Sequence, residues 1–190
     1  MSDREFGLIP RIHNQNKATL QWLRELTAEY PRHPVYGIDY SNAVDCAIVT
    51  CVVNYGGEVL LVHRGPNVLV YPDTWGLISG FMPLELPDRV ILNELAEEVG
   101  IHAKDIATLT IAKRRLRLDP ELRNSAGDYS RRWHEFRTFA VLHQEVTPIT
   151  NWENREARWV PIDEALTLPL LPSARRTLLA WLRICGSPLV

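Results

Sequence analysis

The stretch Trp75–Ile101, WGLISGFMPLELPDRVILNELAEEVGI, decides how this chain is read. Within it, Leu86–Val99 predicts a helix. Pro87 suits the first turn, where its missing N–H costs nothing, and Asp88 complements the positive end of the helix dipole. Gly100 suits the left-handed position just past the last turn. Ile91, Leu95 and Val99 recur at four-residue steps and form an apolar face for packing on a sheet. Glu94, Glu97 and Glu98 stand at i, i+3 and i+4, so three carboxylates project from one side of the helix. Like charges at these spacings destabilise a helix by roughly 0.2–0.5 kcal/mol per pair, and no basic residue four positions away offsets them. A hard divalent cation such as Mg²⁺ or Mn²⁺ turns that repulsion into coordination. A solvated acidic face is the plain alternative.

Outward from the helix, Thr74–Ile78 predicts a strand, followed by a loop through Gly80 and Pro83. Upstream, Val44–Asn54 (VDCAIVTCVVN) and Glu58–His63 (EVLLVH) are rich in β-branched and aliphatic residues. They flank the turn formers Tyr55-Gly56-Gly57, which predicts a hairpin whose second strand is closed by Arg64-Gly65-Pro66. Downstream, Ala107–Leu118 and Trp133–His143 predict two strands. The polar stretch between them, Asp119–Arg132, carries Pro120, Asn124, Gly127 and Asp128 and reads as a surface loop or lid. Arg158–Pro161 predicts a last short strand and Ser173–Ile184 an amphipathic closing helix around Leu178, Leu179 and Leu182. At the start, Lys17–Tyr30 predicts an amphipathic helix on Leu20, Leu23 and Leu26, ended by Pro31–Pro34. The expected organisation is an N-terminal helical extension over residues 1–40 and one domain over residues 41–190.

The 190 residues are 46% hydrophobic, enough for one substantial core. A net charge of -2, with acids and bases interspersed, gives no global sign of affinity for nucleic acid or membrane. Cys46, Cys51 and Cys185 are odd in number, lack CxxC spacing and sit in apolar surroundings, which suits reduced, buried thiols. The opening MSDREFGLIPRIHNQN lacks the apolar core of a signal peptide, and no apolar run is long enough to cross a bilayer, so a soluble, cytoplasmic protein is expected. The six His show no paired ligand spacing. No Ser/His/Asp or P-loop pattern stands out.

Strand, glycine loop, glutamate and acidic helix in this order resemble the Nudix hydrolases. Their box is written G-x5-E-x7-R-E-U-x-E-E-x-G-U, with U aliphatic, and this chain has Gly80, then Glu85, seven residues, Asn93-Glu94-Leu95-Ala96-Glu97-Glu98-Val99-Gly100-Ile101. The hairpin ending in Leu60-Leu61-Val62-His63-Arg64 and the segment Glu153–Ala165 (ENREARWVPIDEA) resemble the family's flanks, so the likeness covers roughly Asp45–Leu166. Two positions depart from the box. Asn93 stands where the family has an arginine beside the glutamates, and an amide cannot neutralise charge. Ser79-Gly80 replaces the usual Gly-Gly, with one residue fewer before Glu85.

The resemblance implies an α/β (α+β) fold, an α/β/α sandwich with a mixed sheet. It also implies metal-dependent cleavage, by water, of a phosphoanhydride in a nucleoside diphosphate derivative. Glu94, Glu97 and Glu98 are then the ligands of Mg²⁺ or Mn²⁺, with Glu85 a more distant or water-mediated partner and Glu94 an alternative water-orienting group. Glu156 is a candidate base, with a solvated loop glutamate the competing reading. Arg64 is a candidate phosphate grip at a strand end. Tyr129, Arg131 and Trp133 are candidates for stacking and phosphate contacts from the polar stretch, whereas Trp75, Trp159 and Trp181 suit the core. Lys113, Arg114, Arg115 and Arg117, with Arg131, Arg132 and Arg137, form the local basic concentration, which reads either as a phosphate or RNA patch or as a charged sheet edge. The expected partner is a small nucleotide substrate, with no membrane and nucleic acid disfavoured; the substrate's identity and self-association into a homodimer are left open. The alternative class is a catalytically impaired module of the same fold that senses a nucleotide or binds RNA.

Overall fold

The computed structural model describes residues 9–34, 37–68, 71–112, 114–123 and 130–185, with the side chains of 9–15, 117–123, 130 and 185 left out. Helix α1 (Ile9–Leu26) leads to β1 (Asp45–Tyr55), β2 (Glu58–Arg64), β3 (Trp75–Gly76), β4 (Ile78–Phe81) and α2 (Pro87–Val99). A short 3-10 turn precedes β5 (Ile106–Ile111), β6 (Arg115–Arg123), β7 (Ser130–Leu142), β8 (Asn154–Pro161), α3 (Ile162–Ala165) and α4 (Pro172–Cys185). All eight strands belong to one mixed sheet.

The hairpin forms as expected because Gly56 and Gly57 adopt φ of +59° and +91°, values that match the right-handed twist of a two-residue turn. Beyond that turn β1 leaves β2 and pairs instead with β4, antiparallel, and with β7, parallel. β2 continues against β8 and β3. The sheet thus forks at the hairpin. Gly80 lies inside β4, opposite Val49, rather than in the loop expected for it.

Helices cover both faces. Leu23 of α1 and Val90, Ile91, Leu95 and Val99 of α2 fill one core cluster. Ala174, Leu178, Trp181 and Leu182 of α4 fill the other, against Val52, Leu61 and Phe139. This is the α/β/α sandwich with a mixed sheet that the sequence predicts. Helix α2 has the expected ends: Pro87 opens it, and Gly100 sits at φ +72° with its N–H on the carbonyls of Ala96 and Leu95. Cys46 and Cys51 are buried free thiols. Among the described residues no helix is long and apolar enough to cross a membrane.

Three expectations need correcting. The single strand Ala107–Leu118 is two strands, β5 and β6, which pair in turn with the C-terminal and N-terminal halves of β7. The stretch Asp119–Arg132 is largely sheet, since β6 runs to Arg123 and β7 starts at Ser130; only residues 124–129 lie between them, outside the described residues. The first helix runs Ile9–Leu26 instead of Lys17–Tyr30, its end fixed by a turn at Thr27, whose hydroxyl bonds back to the Leu23 carbonyl at 2.8 Å.

Candidate active site

Burial of Ile91, Leu95 and Val99 fixes the rotation of α2, and with it the direction of the acidic side. Glu94 then lies flat on β4. A Cβ added to Gly80 would coincide with the Oε1 and Cδ of Glu94 and come within 2.8 Å of its Cγ. Only a glycine leaves room for the carboxylate there. Burial pushes the Glu94 carboxyl up to about 8, and the nearby charges of Glu98, Glu97 and Glu153 push the same way.

Glu98, one turn on, is 4% exposed. Its Oε2 accepts a hydrogen bond of 2.7 Å from Nδ2 of Asn154, at the start of β8. Burial pushes this carboxyl up to about 7 and Glu153 adds to the rise; the Asn154 bond, a bond from the Ser79 backbone and the Arg64 charge act against it. Glu97 is exposed, as are Glu85 and Asn93. The family arginine's place therefore holds an uncharged, solvated side chain.

Arg64 ends β2 directly opposite Asn154, after a register shift at His63/Arg64. Burial lowers its proton affinity, while Glu98 and Glu153 support its charge. The chain on either side is held tightly: the Gly65 N–H donates to the Glu153 carbonyl at 2.7 Å, and a Cβ on Gly65 would approach that oxygen to 3.1 Å. Gly65 thus admits the Glu153 backbone, and Gly80 admits the Glu94 side chain.

Four of the expected residues, Arg64, Glu94, Glu97 and Glu98, come together in this region. Glu156 lies further along β8, opposite His63, exposed and 3.9 Å from Nε of Arg158. Glu153, which sequence reasoning passed over, is the charge from that segment felt by Glu94, Glu98 and Arg64. Arg131 is 6% exposed, and its guanidinium donates to the Ser41 carbonyl at 2.6 Å and lies 4.0 Å from the Cys46 sulfur. Trp133 is 5% exposed in the same strand, its ring 6.0 Å from that of Phe81. Both are packing residues of β7, paired with β1 and β6, rather than residues of the polar loop expected there. Tyr129 lies outside the described residues. Of the basic concentration, Arg132 pairs with Asp45, Arg137 bonds to Glu135 at 3.0 Å, and Arg114 covers the Trp22 ring at 3.8 Å. These arginines are engaged with their own neighbours and do not make one open patch.

Among the described residues, no group of three or more His, Cys, Asp and Glu side chains is arranged to hold a metal ion. The donor set fits a hard divalent cation in its chemistry. Carboxylate oxygens are the donors such ions prefer, a half-buried Glu94 and a buried Glu98 both have raised pKa values, and one buried carboxamide oxygen, Oδ1 of Asn154, has no hydrogen-bond partner.

Solved structures of low sequence identity share this fold. The NUDIX domain of Shewanella oneidensis NrtR, complexed with ADP ribose, is 18% identical, with a TM-score of 0.60 over 84% of this chain and 97% of that one. The E. coli dihydroneopterin triphosphate pyrophosphohydrolase is 19% identical, with a TM-score of 0.58 over 74% of this chain and 96% of its own. The MutT protein of Methanosarcina mazei Go1 is 20% identical, with a TM-score of 0.58 over 75% and 96% respectively. No curated protein matches the sequence. The NUDIX domain family matches residues 44–182, from the first residue before β1 to the penultimate turn of α4. Fold, acidic helix and family match agree, and the chain belongs to the Nudix family.

Proposed function

We propose that this protein is a divalent-cation-dependent hydrolase that cleaves a phosphoanhydride bond in a small nucleotide, a nucleoside diphosphate derivative, with water as nucleophile. The observation that carries this reading is the pair Glu94, half-buried against Gly80, and Glu98, buried, both with raised proton affinity. Desolvating two neighbouring carboxylates without a compensating cation opposes folding, and functional sites are where such arrangements persist.

In this reading Glu94, Glu97 and Glu98 hold Mg²⁺ or Mn²⁺. When bound, the ion supplies polarisation of the phosphoryl oxygens and a water of lowered pKa. Arg64, whose charge Glu98 and Glu153 support, is the residue to grip a phosphate oxygen. Glu153 joins Glu156 as a candidate base: its charge is close enough to shift both buried carboxylates, and a base must lie within hydrogen-bond reach of the water it deprotonates. Family members of this fold that carry nucleotides, such as the ADP-ribose-bound Shewanella domain, support the substrate class by analogy.

One observation favours a second reading, nucleotide binding without turnover: Asn93 leaves the acidic side without the family's neighbouring cation. Turnover of a panel of sugar nucleotides, dinucleotides and nucleoside triphosphates with Mg²⁺ and with Mn²⁺ separates the two. Metal-dependent release of phosphate or of nucleoside monophosphate supports the hydrolase. Saturable binding across the panel with no product supports the sensing module.

A further inference from the structure

The side chain of Asn154 is unusual for a strand-end amide. It is 2% exposed, its Nδ2 donates to Glu98 Oε2 at 2.7 Å, and its Oδ1 is buried with no hydrogen-bond partner. A buried carbonyl oxygen left unpaired costs on the order of 1–3 kcal/mol, and such a cost persists where the group has another use.

The backbone around Asn154 is over-determined. β8 begins at this residue, opposite Arg64, at the point where the register with β2 shifts. The preceding Glu153 is fixed twice, by the Gly65 N–H on its carbonyl at 2.7 Å and by Asn151 Oδ1 accepting from its own N–H at 2.9 Å. The Asn154 amide reaches the one carboxylate of α2 that is fully enclosed, and leaves the other oxygen of Glu98 uncommitted to it. A carboxamide oxygen is also a donor that hard cations, or the water they carry, accept readily.

We propose that Asn154 is the positioning residue of the cation site, its amide holding the Glu98 carboxylate in place and its unpaired Oδ1 available to a water that the cation would carry. The inference rests on the metal-dependent reading above. An outer partner that orients a ligand through a hydrogen bond is worth about tenfold to a hundredfold in metal affinity.

The test is a calorimetric titration of the metal-free protein with Mn²⁺, which needs neither substrate nor turnover. Three variants are compared with the natural chain: Asn154→Leu, which keeps the branched heavy-atom shape and removes both polar ends; Asn154→Ser, a smaller side chain in case the first does not fold; and Thr27→Ala. Thr27 is buried and bonded to Leu23 at 2.8 Å in the α1 turn, so its loss lowers stability without touching the site. The expected result is a loss of about tenfold to a hundredfold in Mn²⁺ affinity for the folded Asn154 variants, and a change within about twofold for Thr27→Ala. Natural affinity in folded Asn154→Leu and Asn154→Ser overturns the positioning role and leaves the cation site standing. An equal loss in Thr27→Ala overturns it as well, since the effect is then general stability. A natural chain that binds no Mn²⁺ overturns both the role and the metal-dependent reading.

Discussion

Glu94 lies against Gly80 so closely that no other residue at position 80 leaves it there. This contact joins the glycine of β4 to the acidic helix, and it gives the glycine a side-chain reason rather than a backbone one: Gly80 is absent from the positions of positive φ. The atoms in the way belong to the far end of a flexible side chain, so the fold tolerates a methyl group and the carboxylate moves.

Gly80→Ala is therefore expected to leave the melting temperature within a few degrees of the natural protein while lowering metal-dependent turnover about tenfold or more, because a displaced ligand or base costs far more in rate than in stability. Kinetics and thermal melts on the same preparation check this. In a Glu94→Ala background the same substitution should change neither quantity, since nothing remains to be displaced.

The raised carboxyls fix the sign of a pH effect on the metal-free protein. Glu94 and Glu98 have an ordinary value of 4.5 and are pushed up to about 8 and about 7 in the fold. Below the ordinary value both are protonated folded and unfolded, and they add no pH dependence. Between that value and the folded ones the unfolded chain has released protons that the folded chain keeps, so stability falls as pH rises, and the loss is complete above about 8. Melts in the presence of a chelator should show this decline, and Glu94→Gln should flatten its upper part. Added Mg²⁺ should stabilise more at pH 8 than at pH 6, because binding must displace those protons.

Glu97→Gln and Glu98→Gln are each expected to lower turnover at least about a hundredfold with the fold intact, since an amide is a far weaker ligand for Mg²⁺ than a carboxylate. The two differ in stability. Glu98 is 4% exposed and Glu97 is on the surface, so only Glu98→Gln should raise the chelator-treated melting temperature at pH 8. Circular dichroism and rates at saturating Mg²⁺ decide the matter.

Asn93→Arg places a cation one turn before Glu97 on an exposed side of α2, a pairing worth about 0.3–0.5 kcal/mol in a helix. If this side chain limits a competent site, turnover rises; an unchanged rate at unchanged Mn²⁺ affinity assigns the limit to the shorter segment between Gly80 and Glu85.

What the sequence reveals of this architecture is local. Pro87 and Gly100 bracket α2, and Gly56-Gly57 turns the hairpin, because each answers a backbone requirement at its own position. The break between β5 and β6 has no such marker: residues 112–114 contain neither glycine nor proline, and the break exists because β7 is long enough to pair with two strands end to end. Burial of Arg131 was equally hidden, since arginine is ordinarily a surface residue and its partners, the Ser41 carbonyl and the Cys46 sulfur, lie ninety and eighty-five positions away. Glu94, Glu97 and Glu98 were legible from helical spacing, whereas Glu153 and Asn154 join them through the register of β8 on β2, which no periodicity announces.

The most direct measurement is the steady-state rate of phosphoanhydride cleavage over the nucleotide panel, for the natural chain and for Glu98→Gln, with Mg²⁺ and with chelator. The account predicts turnover by the natural chain that needs the metal and is lost at least about a hundredfold in Glu98→Gln. Turnover that survives both the chelator and the substitution, or none from the natural chain on any member of the panel with either metal, would contradict it.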